Sequence, residues 1–130
     1  MGPDDFRQDL QRAEAVLAPI LGEKPSLYRA PYGKTSAVML EELRRAGYVS
    51  IGWDIDSGDW DSSTTTGQIV ENVLSRAHPG GIILLHDGGA GEDNPNRTAT
   101  EEALPRILEG MRERGLEPVT VSEIIAPPCA

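Results

Sequence analysis

The sequence predicts an α/β domain in which about four parallel strands alternate with helices. Three observations carry that expectation. Apolar residues recur at helical spacing in four stretches, short β-prone runs lie between them, and glycine or proline marks most junctions. The 130 residues suit a single domain spanning 1–130, since a typical domain holds roughly 100–200 residues. Parallel strands joined by right-handed crossovers gather their C-terminal ends on one face, where chemistry is expected.

Taken in order, Phe6, Leu10, Ala13, Leu17 and Ile20 share one helical face, and Pro19 is expected to kink or end that helix before Gly22. Leu27-Tyr28 is a short strand running into Arg29-Ala30-Pro31-Tyr32-Gly33. Met39, Leu43 and Ala46 mark a second helix, stopped by Gly47, and a strand from Tyr48 to about Ile55 follows. Thr65 and Gln68 have capping-box spacing and open a third helix through Ile69, Val73 and Ala77. After His78-Pro79-Gly80-Gly81, the run Ile82–Leu85 reads as a fully buried strand. A Gly-rich polar loop then leads from Asp87 to about Arg97. Thr98 and Glu101 offer another capping box, for a helix through Leu104, Leu108 and Met111 that stops at Gly115. Pro105 suits that helix only within its first turn or so. Pro118–Val121 closes the chain as a short strand before a terminal turn.

Composition narrows the function. Twelve Lys and Arg against 21 Asp and Glu give a net charge of −9. Such a surface repels phosphate backbones and anionic lipids, which argues against nucleic-acid and membrane partners. The longest aliphatic run, Ile82–Leu85, is far too short to span a bilayer. The acidic start Met1-Gly2-Pro3-Asp4-Asp5 does not resemble a signal peptide. A single cysteine, Cys129, excludes an internal disulfide framework and a cysteine-rich zinc site.

Three strand ends carry polar clusters that project onto one rim: Arg29 to Gly33, Asp54 to Trp60, and His86-Asp87-Gly88-Gly89. Together they supply a cation, several carboxylates and an imidazole, the raw material of acid–base chemistry. Pro31 and Gly33 are placed for a type I turn from Ala30 to Gly33 that leaves the Tyr32 amide free as an oxyanion donor. The plainer reading makes Pro-Tyr-Gly a tight loop and Arg29 a solvated charge. In the second cluster, the acids either bind a cation, orient a histidine or are solvated, and Trp60 is either a sugar platform or a core anchor. His86 follows a buried strand directly and faces the rim, in a position suited to proton transfer; a structural histidine is the alternative. His78 lies on a helix-to-strand loop at the opposite face and reads as a surface residue.

Arg29-Ala30-Pro31-Tyr32-Gly33, Asp56-Ser57-Gly58-Asp59-Trp60 and Leu84-Leu85-His86-Asp87 resemble the last three of five motifs of the polysaccharide deacetylases, the NodB-homology family of carbohydrate esterases. Ala103-Leu104-Pro105-Arg106-Ile107 and Val119-Thr120-Val121-Ser122-Glu123 are similar to that domain's closing helix and strand. The resemblance implies a distorted (β/α) barrel and metal-dependent hydrolysis of an N-acetyl or O-acetyl group on a glycan. It implies that Arg29 holds the catalytic base and that the Tyr32 amide steadies the oxyanion. Asp59 would tune the catalytic histidine, with Asp56 the alternative partner. His86 would be the general acid, and Pro31, Trp60, Leu84 and Asp56 would face the substrate. Nothing here resembles the family's Thr-Phe-Asp-Asp-Gly run or its pair of histidines four apart, which supply the base and the metal ligands. The chain therefore reads as the C-terminal part of the domain. The complete family domain implies a divalent metal, with zinc the expected ion; none is expected for this chain alone. The expected partners are an acetylated glycan or oligosaccharide and either a second copy or a complementing N-terminal part. Family members usually work outside the cytoplasm, and localisation stays open. A non-catalytic carbohydrate-binding or structural remnant is the alternative. A receiver- or flavodoxin-type domain is weakened by the lack of a phosphate-cradling turn after the first strand.

Overall fold

The computed structural model describes residues 2–89 and 96–126. The chain falls into two compact units, Met1–Gly52 and Trp53–Ala130. Among the described residues, no helix is long and apolar enough to cross a membrane.

The first unit runs α1 (Pro3–Leu21), β1 (Leu27–Tyr28), a 3₁₀ turn (Pro31–Gly33), α2 (Ala37–Arg45) and β2 (Val49–Ser50). Helix α1 starts with Pro3 at its first position and Asp4 and Asp5 in its first turn, where a carboxylate suits the helix dipole. The helix ends before Gly22 as expected, with Pro19 still inside it. The helix continues to Leu21, and left-handed Gly22 closes it with an N–H to the Ala18 carbonyl at 2.9 Å. Proline removes only one donor there, close to an end where the backbone is exposed to water. Of the expected apolar face, Phe6 and Leu10 are buried, whereas Leu17 and Ile20 stay exposed. Phe6, Leu10, Leu43 and Tyr48 form the core, and Phe6 meets Tyr28 edge to face at 5.9 Å. Glu42 is nearly buried and is held by Arg7 at 2.9 Å and Arg45 at 3.2 Å. Strands β1 and β2 pair in parallel, Leu27 against Val49 and Tyr28 against Ser50.

The second unit runs β3 (Ile55–Asp56), α3 (Thr66–Leu74), β4 (Ile83–Leu84), α4 (Thr98–Glu113) and α5 (Val121–Ile125). The Thr65–Gln68 capping box opens α3 as its spacing predicts. Ile55, Ile69, Val73, Ala103 and Ile107 are the core. Gly110 permits close packing of α3 on α4, because a Cβ there would lie 2.4 Å from Leu74 Cδ1. Strand β3 pairs in parallel with β4, Ile55 against Ile83 and Asp56 against Leu84.

Several expected elements differ. The strand predicted over Tyr48–Ile55 is two strands, β2 and β3, which pair with different partners on either side of Gly52. Helix α3 stops at Leu74 rather than Ala77, with Ser75 as its cap. Thr98 is not a cap but the first helical residue of α4, and Pro105 lies well inside that helix. The strand predicted over Pro118–Val121 is absent. Thr120 instead forms a capping box with Glu123 and starts α5, so local side-chain hydrogen bonding outweighs the β-branched composition. Residues 90–95 of the predicted polar loop, and Cys129, lie outside the described residues.

Candidate active site

Strands β3 and β4 set the central pair. Three residues past β3 comes Asp59, and two past β4 comes His86. Parallel pairing therefore brings them to the same end of the ladder. His86 Nδ1 lies 2.7 Å from Asp59 Oδ1, and the His86 backbone N–H donates to Asp59 Oδ2 at 2.7 Å. The Asp59 side chain is fully buried and that of His86 is 35% exposed. Burial pushes the Asp59 carboxyl up, but donors from His86, Ser57 and Thr100 outweigh it and hold the group below the ordinary carboxylate value. An ionised carboxylate only accepts, so Nδ1 carries the ring proton and donates it to Asp59. Nε2 has no partner among the described residues, which leaves it as the nitrogen that can give or take a proton.

Asp56, the other aspartate considered for His86, turns back on its own loop and accepts the Gly58 N–H at 2.9 Å. Trp60 is 60% exposed beside the pair, and Leu84 is buried at 9% within the ladder. A cleft of about 520 Å³ opens next to Asp59, bordered by Trp60, Thr64, Thr66, Arg97 and Thr100.

In the first unit, Arg29 Nη2 donates to the Gly52 carbonyl at 3.0 Å, and Nε approaches that of Ile51. The Arg-Ala-Pro-Tyr-Gly turn has the expected Gly33 N–H to Ala30 carbonyl bond, 3.0 Å long. It is not a type I turn. Tyr32 adopts φ 56° and ψ 18°, a left-handed conformation for a bulky residue, and Gly33 follows at φ 66°. A second bond, Lys34 N–H to the Pro31 carbonyl at 3.2 Å, wraps around these two residues. The Tyr32 side chain is 79% exposed, and its amide finds no acceptor among the described residues. Left-handed backbone costs an L-residue about 1–2 kcal/mol, so this loop holds Tyr32 in a strained conformation.

Sequence reasoning missed Arg97 and Thr100. Arg97 donates to the Asp59 and Gly88 carbonyls at 2.8 and 2.9 Å, and Thr100 Oγ1 to Asp59 Oδ2 at 3.1 Å. The capping-box spacing of Thr98 and Glu101 points to helix initiation instead. Among the described residues, no three His, Cys, Asp or Glu side chains gather closely enough to hold a metal ion. The described part of the site thus does not fit a three-ligand catalytic metal centre.

These features define an α/β protein in which helices alternate with short parallel strands and a histidine–aspartate pair sits at one ladder's end. A family 4 carbohydrate esterase from Streptomyces lividans, solved with acetate, superimposes with a TM-score of 0.81 at 30% identity, over 94% of this chain and 58% of that one. A family 4 acetyl xylan esterase from Clostridium thermocellum, solved with a cobalt ion, gives 0.82 at 32% identity, over 95% and 56%. The particular family is then supported by sequence: the family model described as polysaccharide deacetylase matches residues 1–51. A peptidoglycan-N-acetylglucosamine deacetylase from Bacillus cereus is 34% identical over 105 residues, covering 79% of this chain and 46% of that protein. The chain spans about half the length of these relatives.

Proposed function

We propose that this chain carries the general-acid and oxyanion side of a metal-dependent deacetylase that removes acetyl groups from an N-acetylated or O-acetylated glycan. The His86–Asp59 pair carries the reading. Asp59 accepts from Nδ1 and stabilises the imidazolium, so that Nε2 can protonate the departing amine or alkoxide. The strained Tyr32 turn presents a backbone N–H suited to a developing oxyanion. Arg29 holds the catalytic base, and Pro31, Asp56, Trp60 and Leu84 contribute to the substrate groove. In this reading the chain is the C-terminal part of the domain. Metal ligands and base come from a complementing N-terminal part, and zinc is the metal; a second copy is the alternative partner for the chain. The B. cereus relative, named for peptidoglycan N-acetylglucosamine, supports an amino-sugar substrate.

Acetate release from chito-oligosaccharides tests the proposal. The chain alone, supplied with zinc or cobalt, is expected to show no turnover. Adding the N-terminal part of the B. cereus relative is expected to restore it, and His86→Ala should then lower the rate at least about 100-fold. Restored turnover indifferent to His86 would overturn the assignment. Oligosaccharide binding without turnover in the complemented protein would favour the non-catalytic remnant instead.

A further inference from the structure

We infer that Arg97 and Thr100 are positioning residues for the His86–Asp59 pair, an inference that rests on reading His86 as the proton donor. Asp59 is engaged at every polar atom. Its N–H donates to Ser57 Oγ at 3.2 Å, and its carbonyl accepts from Arg97 Nη1 at 2.8 Å. Oδ1 takes the imidazole, while Oδ2 takes the His86 N–H and, at 3.1 Å, the Thr100 hydroxyl.

The two newly identified residues act on different degrees of freedom. Arg97 uses one arm on the Asp59 carbonyl and the other, Nε, on the Gly88 carbonyl at 2.9 Å. It thereby ties the loop after β3 to the loop after β4, backbone to backbone, and fixes the distance the imidazole must bridge. A guanidinium suits this task because its donors sit in a rigid planar fork, whereas an ammonium is a single point with free rotation. Thr100 works on the carboxylate plane. Its hydroxyl, in the first turn of α4, helps pin Oδ2 so that Oδ1 stays directed at Nδ1.

Helix α4 gives up local stability for this arrangement. Arg97 occupies the N-cap position yet makes no side-chain cap bond, although serine, threonine, asparagine or aspartate is the residue that stabilises such a start. The Thr98 N–H is served by Asn96 Oδ1 at 3.0 Å instead. A local rule broken beside a buried carboxylate marks a place where tertiary geometry has taken precedence.

The test uses the full chain labelled with ¹⁵N-histidine, in a His78→Gln background that leaves His86 as the remaining histidine. A ring Nδ1–H held by a buried carboxylate gives a low-field proton signal that exchanges slowly with water. The parent is expected to show it and Asp59→Asn to lose it. Thr100→Val and Arg97→Lys should move the signal upfield and speed its exchange at least about tenfold, a change equivalent to about 1.4 kcal/mol. Thr100→Ser should restore it, and circular dichroism should report folded protein throughout. A signal unchanged in both Arg97→Lys and Thr100→Val would overturn the inference, as would its absence from the parent. The functional reading fails separately: the signal would respond as expected, but complemented turnover would ignore His86.

Discussion

His78 and His86 flank the same two-residue strand, and each meets an aspartate that flanks the neighbouring one. At the start of the ladder, His78 Nε2 lies 2.5 Å from Asp54 Oδ2, with both side chains 51% exposed. At its end, His86 meets an Asp59 carboxylate that is wholly buried. The ring nitrogens differ more than the aspartates. His78 Nδ1 faces the Pro79 carbonyl at 3.0 Å, so both of its nitrogens point at obligate acceptors. It is fully satisfied only as a cation, and no nitrogen is left for chemistry. Asp54 also takes the Ile82 N–H at 2.7 Å, which makes this pair a clip on the entry to β4. His86 commits one nitrogen and keeps the other. The lesson is that the same residue pair closes off both ring nitrogens where each meets an acceptor and leaves Nε2 open, among the described residues, where only Nδ1 does.

The largest expected effect comes from breaking the buried pair. Asp59→Ala strands the His86 N–H groups, the Thr100 hydroxyl and the Ser57 loop, and should cost about 3 kcal/mol in urea unfolding. A loss near zero would mean that water satisfies these groups as well as Asp59 does. The same group sets an acid limb. Its folded pKa is depressed, so its contribution is complete above the ordinary value of 3.8 and is lost as pH falls through the lower folded value. The stability gap between parent and Asp59→Asn should therefore close as pH falls below about 4.

A smaller loss is expected at the clip's own glycine. A Cβ on Gly81 would lie 2.8 Å from Ile55 Cδ1 and 3.1 Å from the His78 carbonyl. Ile55 is buried and cannot swing away, so Gly81→Ala should cost about 1 kcal/mol by overpacking. Thermal melting of that variant would check it. The smallest effect belongs to the exposed pair itself. The Pro79 carbonyl and Asp54 raise the His78 pKa, so its contribution is complete below 6.5 and fades as pH rises past the raised folded value. The Ile82 N–H and His78 lower the Asp54 carboxyl, so its part is present above 3.8 and fades as pH falls. His78→Gln should thus differ from the parent only inside that window, and 1 M salt should erase the difference. Urea midpoints at pH 3, 5.5 and 9 would show it.

Thr65 and Gln68 are legible because the whole capping signal lies within four residues. Thr120 and Glu123 carry the same spacing, but Val119 and Val121 around them read as strand, and their β propensity masks the cap. At Arg97 the failure is of another kind. Nothing local distinguishes that arginine from a solvated loop cation; its role exists only once β3 and β4 have brought Asp59 and Gly88 together. The Pro31–Gly33 signature discloses a turn and its hydrogen bond, yet not its type, because tyrosine is a poor advertisement for left-handed backbone. The strand ends disclose Asp59 and His86, since parallel pairing follows from alternation alone. Where Asp59 and Asp56 both stand open as partners, only the loop geometry after β3 distinguishes them.

The short ladders also order events in time. Leu27 reaches Val49 across one helix, and Ile55 reaches Ile83 across another, so each closure spans a modest loop whose entropy cost grows only slowly with length. Docking of α3 on β3 can precede either pairing, because it is nearly local in sequence. Asp59, however, cannot hold His86 until β3 and β4 have aligned, nor Thr100 until the start of α4 arrives. The buried imidazole proton is therefore a clock for the final stage of assembly. Followed after a jump out of denaturant, it should appear after the far-ultraviolet helical signal has recovered.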